Sequence, residues 1–224
     1  MSNDKPIHRY NEFLKSSAFL FSLVIIIFIN PFLDDSDGGR IAGSLLVLGT
    51  MIGALSVMFT HKYIFWYVLT MVALSVVLEM LSLSYKSEVY VGIKFLRNSF
   101  FYGTFALILF YYLMKVQPLS LTEIGNAISI YLLVGLAFSN YYCYYTMNNP
   151  QAFFLPPNDS GNIQFDLMYY SFIALTTTGF GDIQPLMKIP RLLAIFETIF
   201  GTFYIAVIIG RLVGMGKSAA STKE

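Results

Sequence analysis

The sequence predicts an all-α membrane protein, and its composition and hydropathy pattern both indicate this fold class. Hydrophobic residues make up 56% of the 224 residues, and charged residues only 12%. A soluble domain carries about 25% charged residues. Apolar segments close to the roughly 20 residues needed to cross a bilayer recur along the chain. Because lipid cannot satisfy backbone polar groups, we expect these segments to be helices.

We predict six transmembrane helices separated by short polar breaks. They lie at about 17–33, 41–60, 63–84, 99–114, 120–145 and 190–213, with a mixed segment at 85–98. Ser120 and Glu123 form a Ser-x-x-Glu capping box at the start of the fifth helix. An even number of spans puts both termini on one side, and Lys and Arg residues favour the cytoplasm by eight to six.

Several classes of function are disfavoured by composition. The net charge of +1 gives no reason to expect a nucleic-acid partner. Cys143 is the single cysteine, which excludes an intrachain disulfide, and the two histidines cannot build a zinc site alone. We find no nucleophile–base pair, so we expect no enzymatic activity and no cofactor.

The most informative segment follows residues 163–175, an apolar stretch too short to span a bilayer and therefore predicted to be a re-entrant helix. Residues 176–182 read Thr-Thr-Thr-Gly-Phe-Gly-Asp. Glycine reaches backbone dihedrals closed to other residues, so successive carbonyls in such a segment can point the same way. A row of aligned carbonyls can replace the hydration shell of a small cation. The alternative is a glycine-rich turn between two membrane helices.

In this order and context, the run resembles the selectivity filter of the tetrameric potassium channels, written T-x-G-Y-G or T-x-G-F-G followed by Asp. The resemblance is strong over about 121–216 and weak before that. It implies a homotetramer with fourfold cyclic symmetry around a central pore. It also implies a cytoplasmic N-terminus (1–16), a four-helix sensor-like membrane domain (17–115), a linker (116–121), a pore domain (122–216) and a cytoplasmic tail (217–224).

The resemblance also implies roles for individual residues. Carbonyls of four residues, with the Thr177 hydroxyl, would surround K⁺: Thr177, Thr178, Gly179 and Phe180. Gly181 completes the filter, and its support and outer mouth would comprise Thr176, Asp182, Tyr169 and Tyr170.

Three of these positions leave questions open. Thr178 stands where Val or Ile is more usual, and its hydroxyl needs a hydrogen-bond partner. Phe180 lacks the hydroxyl of the more frequent Tyr. Asp182 either concentrates cations at the mouth or braces the filter through a neighbouring tyrosine such as Tyr169 or Tyr170.

The last span is the predicted gate. Gly201 has the spacing of a hinge glycine in this family, although close helix packing is an equal alternative. A face formed by Thr202, Ile205, Ile209 and Val213 would line the cavity. Glu197 is a carboxylate within a membrane helix and therefore a functional candidate, although we favour a protonated or hydrogen-bonded brace behind the re-entrant helix.

The few charged residues of the first four spans predict a channel whose opening depends weakly or not at all on voltage. Lys94 and Arg97 have the three-residue spacing of a voltage sensor, but the series then ends. We expect both side chains to extend toward the outer interface.

The predicted function is therefore passive, potassium-selective conduction in a cell membrane. A non-selective monovalent cation channel and, less favoured, a potassium transporter subunit are the alternatives. Membrane lipids and identical subunits are the expected partners, and we expect no obligate accessory subunit.

Overall fold

The computed structural model describes residues 4–33, 37–57, 62–85, 88–115, 121–156 and 162–221. It is almost entirely helical. The elements are α1 (Asp4–Ile29), a short 3₁₀ helix (Asn30–Phe32), α2 (Asp37–Val57), α3 (Lys62–Tyr85), α4 (Glu88–Lys115), α5 (Leu121–Asn148), β1 (Phe153–Phe154), α6 (Ile163–Leu175), β2 (Gln184–Pro185) and α7 (Lys188–Ser221).

A helix occupies the position of each predicted span, although several boundaries differ. α4 begins at Glu88, so most of the mixed segment that we placed before the fourth span is helical. α1 extends back to Asp4 and α7 continues to Ser221, because polar residues can extend a helix beyond the apolar part that crosses lipid. The prediction for Ser120 lies outside the described residues.

Three helices of the described chain are long and apolar enough to cross a membrane: Glu12–Phe32, Leu121–Asn148 and Lys188–Arg211. Two shorter apolar helical segments, Ile41–Val57 and Lys62–Leu78, lie where we predicted the second and third spans. The structure thus supports the all-α membrane fold class.

One hydrophobic core joins the first four helices to α5. Phe19 of α1 packs edge-on against Phe105 of α4, and both side chains are fully buried. α4 and α5 make the most extensive helix–helix contact, and α1 also packs on α5. There the Ser16 hydroxyl donates to Asn126 Oδ1 at 2.8 Å. α5 is therefore the helix on which the two parts of the chain meet.

A second core lies between α5, α6 and the loops that connect α6 to its neighbours. Tyr142 of α5 contacts Tyr170 of α6 and Phe153 of β1, with ring centroids 5.5 and 5.3 Å apart. Ile183, just after the glycine-containing run, is buried in the same cluster. β1 pairs antiparallel with β2, which ties the loop before α6 to the segment after it.

The expectation that Lys94 and Arg97 extend toward the outer interface was wrong for Arg97. Lys94 Nζ donates to Ser44 Oγ on α2 at 2.8 Å. Arg97 is buried, and its Nη2 donates to Asn98 Oδ1 at 2.5 Å. Arg97 is thus held inside the bundle, whereas Lys94 is partly exposed and bonded to α2.

The C-terminal half of α7 reaches the end of α4. Arg211 Nη1 donates to the carbonyl of Leu113 at 2.7 Å. The last four carbonyls of a helix lack partners within that helix, so a guanidinium is a favourable cap there.

Candidate functional site

The short helix α6 has the predicted bounds, Ile163–Leu175, and its ends are well defined. At about 1.5 Å per residue it spans roughly 20 Å, less than the about 30 Å hydrocarbon core of a bilayer. Asn162 caps its N-terminus, with the side-chain oxygen accepting from the Phe165 N–H at 3.0 Å. Asp166 lies in the first turn and is buried.

Residues 176–182, hereafter the glycine segment, follow α6 directly and have alternating backbone handedness. φ is +61° at Thr177, +54° at Gly179 and +80° at Gly181, whereas Thr178 and Phe180 between them do not have positive φ. Alternation of this kind turns successive peptide groups the same way, unlike the alternating sides of a β-strand. The segment can therefore present a row of carbonyl oxygens along one side.

Thr177 is the member of this pattern that sequence reasoning missed. It is the non-glycine residue with positive φ in the described part of the chain. For an L-residue this conformation costs about 1–2 kcal/mol. Such strain persists where surrounding structure enforces it, and it concentrates at functional sites. The sequence signal was indirect: Thr177 continues the two-residue spacing of Gly179 and Gly181.

Carbonyls at the end of α6 hold the first half of the glycine segment. The N–H of Thr177 donates to Ala174 O at 3.0 Å, and that of Thr178 donates to Ile173 O at 2.9 Å. Gly179 N–H shares the Ile173 carbonyl at 3.3 Å. These bonds use carbonyls that a helix end leaves without partners, so α6 and the glycine segment form one continuous unit.

The Thr178 hydroxyl has the partner that we expected it to need. Its Oγ1 lies 2.9 Å from Oγ1 of Thr176. The Thr176 hydroxyl in turn donates to Phe172 O at 2.7 Å. The two threonines thus link the glycine segment to the last turn of α6.

The second half of the segment is held by side chains. Gln184 Nε2 donates to Gly181 O at 2.7 Å. The Tyr169 side chain lies near the Asp182 carboxylate. Tyr170 instead packs against Tyr142 and Phe153, away from Asp182. Of the two tyrosines named from the sequence, Tyr169 is therefore the one close to Asp182, and its bracing role stays a prediction.

The exposed side of the glycine segment is open in a single chain. All seven residues are exposed, and the Phe180 side chain is 70% exposed. A Cβ built at Gly179 or Gly181 would meet no atom within 4 Å. A side chain would have room at these positions, so glycine is required there because of the positive φ angles.

α7 packs against the C-terminal end of α6. A Cβ at Gly201 would lie 1.9 Å from Leu175 O, so only glycine fits at this crossing. Thr198 Oγ1 donates to Ala174 O at 3.1 Å, three residues earlier on the same side. This contact supports the close-packing interpretation of Gly201; the hinge role stays a prediction.

The predicted cavity face of α7 points away from these contacts. Gly201 and Tyr204 are buried against the chain, whereas Thr202, Ile205 and Ile209 are exposed. Val213 belongs to the same helix, but its side chain lies outside the described part of the structure. The described members of the face are thus available to line a space outside this chain.

Further contacts around α6 come from residues that sequence reasoning did not select. Tyr131 Oη donates to Leu175 O at 3.1 Å. Ser171 and Tyr142 both contact Glu197, which is fully buried behind α6 as the brace interpretation expected. Single tyrosines and serines on apolar helices carry no spacing signal, so only the packed structure identifies them.

Together these features define a class: an α-helical membrane protein in which two long helices hold a short helix and the glycine segment that follows it. Comparison with known families agrees with this class. The family model described as "Ion channel" matches residues 127–216, from the first turns of α5 to α7. This is a family of channels, not of enzymes. No curated protein and no solved structure matches the chain.

Proposed function

We propose that this protein is a potassium-selective ion channel that conducts passively through a filter formed by the glycine segment. The observation that carries the proposal is the alternation of φ at Thr177, Gly179 and Gly181 in a segment anchored to the end of a short helix. The similarity of residues 127–216 to ion channels supports conduction in general. Selectivity for potassium is our inference from the filter itself.

The proposed mechanism is replacement of water by backbone oxygens. K⁺ sheds most of its hydration shell, and carbonyls of Thr177, Thr178, Gly179 and Phe180 with the Thr177 hydroxyl take its place. The C-terminal end of α6 carries partial negative charge, which would favour a cation in the proposed central cavity next to that helix end. Asp182, which lies near Tyr169, would add a carboxylate at the mouth that raises the local cation concentration.

Conduction of this kind requires a homotetramer, because each chain has one glycine segment and K⁺ must be surrounded. Four copies related by cyclic symmetry would supply four of each carbonyl. The open side of the segment supports this arrangement, since non-helical backbone at membrane depth must face protein or a water-filled path. The protein would lie in the cell membrane with both termini cytoplasmic.

Two alternative functions are a non-selective cation channel and a potassium transporter subunit, and each differs from our proposal in a testable way. A non-selective cation channel is compatible with the ion channel similarity but usually lacks the second glycine or the aromatic, and Gly181 and Phe180 are both present. A potassium transporter subunit carries several related filter segments in one chain, and this sequence has one. Reversal potentials in mixed sodium and potassium solutions would separate the first rival from our proposal.

Substitution of Gly179 by Ala tests the conduction path. A side chain at φ +54° is strained, so we expect the filter to distort and selective potassium current to disappear while tetramers still form. The measurement is single-channel recording of the purified protein in a planar bilayer, with the oligomeric state checked by cross-linking.

Gly49→Ala is the matched control. Gly49 also has no atom within 4 Å of a built Cβ, but it lies in α2 without a positive φ. We expect wild-type currents from this variant. Potassium currents of equal size and selectivity in Gly179→Ala would refute the proposed filter.

A further inference from the structure

Glu197 lies at the centre of a polar contact among three helices. It sits in the N-terminal third of α7, and its side chain is 0% exposed. Oε2 lies 2.8 Å from Tyr142 Oη on α5, and Oε1 lies 2.5 Å from Ser171 Oγ on α6. We propose that Glu197 is held as a neutral carboxylic acid and that it positions α6, and with it the glycine segment, against both long helices.

The count of protons at Ser171 supports the neutral acid. Ser171 has one hydroxyl proton but lies within hydrogen-bonding distance of two acceptor oxygens, Gly135 O at 2.8 Å and Glu197 Oε1 at 2.5 Å. With an ionised carboxylate, one of these contacts would bring two acceptors together without a proton. With a protonated one, Oε1 donates to Ser171, Ser171 donates to Gly135 O, and Oε2 accepts from Tyr142. Every group then has a partner.

The surroundings of Glu197 also disfavour a negative charge. A charged side chain within a membrane helix is costly unless it is paired. Among the described residues, the ion pair present joins Lys15 to Glu12, and none reaches Glu197. The titratable groups that face it are tyrosines, Tyr131 and Tyr142 on α5 and Tyr170 on α6. Tyrosines donate hydrogen bonds but provide no positive charge.

The contact with Ser171 acts on the part of α6 that holds the glycine segment. Ser171 lies two residues before Ile173, whose carbonyl binds the N–H groups of Thr178 and Gly179. On the side of α5, a Cβ at Gly135 would lie 2.7 Å from the Phe172 ring, so the two helices are already in close contact there. α6 is therefore held by α5 on one side and, through Glu197, by α7 on the other. Its effect on conduction rests on the proposed function above.

Two substitutions separate the roles of shape, hydrogen bonding and charge. In Glu197→Gln the amide can donate to Ser171 and accept from Tyr142, so it reproduces the bonds of the neutral acid. Leu has similar size but no polar atoms, so Glu197→Leu leaves the buried Tyr142 hydroxyl without a partner. We expect Glu197→Gln to keep the wild-type K⁺ over Na⁺ selectivity and Glu197→Leu to lose it in bilayer recordings. Equal damage in both variants, or full selectivity in Glu197→Leu, would overturn the positioning role.

Infrared spectroscopy tests the protonation state without any conduction. We expect purified wild-type protein at neutral pH to show the carbonyl absorption of a protonated carboxyl group. The band should be lost in Glu197→Gln and retained in Glu123→Gln, which removes a carboxylate from the start of α5. A wild-type spectrum without this band, or a band that persists in Glu197→Gln, would overturn the neutral acid even if conduction is selective. Conversely, failure of the Gly179→Ala test would refute the filter and leave this spectrum unchanged.

Discussion

Gly201 shows how a single residue sets the distance between two helices. At this crossing the backbone of α7 approaches the last carbonyl of α6 so closely that a methyl group would lie 1.9 Å from the Leu175 oxygen. The neighbouring Thr198 hydroxyl bonds to Ala174 O, so the contact combines close approach with a specific hydrogen bond. Glycine here permits contact between α7 and the helix end that anchors the glycine segment.

We expect Gly201→Ala to destabilise the protein by about 1–3 kcal/mol, because the added methyl group overlaps backbone that cannot move without shifting α6. The measurement is thermal unfolding of the purified protein in detergent. Gly210→Ala in the same helix is the control: its Cβ would meet no atom within 4 Å, and it replaces a poor helix former. We expect no loss of stability there. If Gly201 acts purely as a hinge, Gly201→Ala would instead lower channel opening with unchanged stability.

At the scale of elements, the N-terminus of α6 is tied to the end of the first helix. The Asn162 side chain caps α6 through its oxygen and also donates from Nδ2 to Leu33 O at 2.9 Å and Asn30 O at 3.3 Å. One side chain thus satisfies a free N–H of α6 and carbonyls at the C-terminal end of the α1 region. The short helix is therefore held at its start by Asn162 and at its end by α5 and α7.

Two variants of Asn162 separate its N-cap bond from its bonds to the carbonyls at the end of the α1 region. Asn162→Ala removes both and should cost about 0.5–2 kcal/mol, the usual value of an N-cap. Asn162→Asp keeps an oxygen that accepts from the Phe165 N–H but loses the donor to Leu33 and Asn30. We expect an intermediate loss of stability for Asn162→Asp in the same unfolding assay. Stability equal to wild type in Asn162→Ala would show that the cap contributes nothing.

At the scale of the whole molecule, the four-helix part is packed onto α5, and its described cations Lys94 and Arg97 have polar partners. Lys94 is bonded to Ser44, and Arg97 is buried beside Asn98. Moving one elementary charge through 100 mV is worth about 2.3 kcal/mol, so two cations bonded to polar partners contribute little to voltage sensing. Contact between Arg211 and the end of α4 gives the four helices a direct connection to the last helix instead.

We therefore expect channel opening to change only shallowly with voltage, and Lys94→Gln to leave that slope unchanged. The measurement is open probability against voltage in a bilayer at symmetric potassium concentration. Lys115→Gln, at the other end of α4, is the control for a change of charge alone. A steep voltage dependence that becomes shallower in Lys94→Gln would contradict this expectation.

The local features of the site were readable from sequence because they depend on local chemistry. A 13-residue apolar helix followed by Thr-Thr-Thr-Gly-Phe-Gly was predicted with the bounds of α6, and glycine at 179 and 181 pointed to the positive φ angles. The start of α4 was misplaced, because a mixed polar segment does not distinguish a helix from a loop. The β1–β2 pairing was missed because two-residue strands have no periodicity.

The sequence by itself determined the membrane class of this protein, the position of its helices and the residues of the glycine segment, since apolar length and glycine content act locally. Only the tertiary structure decided what holds that segment. Gly201 lies against Leu175, and Glu197 bonds to Tyr142 and Ser171, which are all residues remote in sequence. The positive φ of Thr177 is a strained conformation that the surrounding packing enforces. Hydrogen bonds and close approach between helices depend on distances that no local pattern encodes.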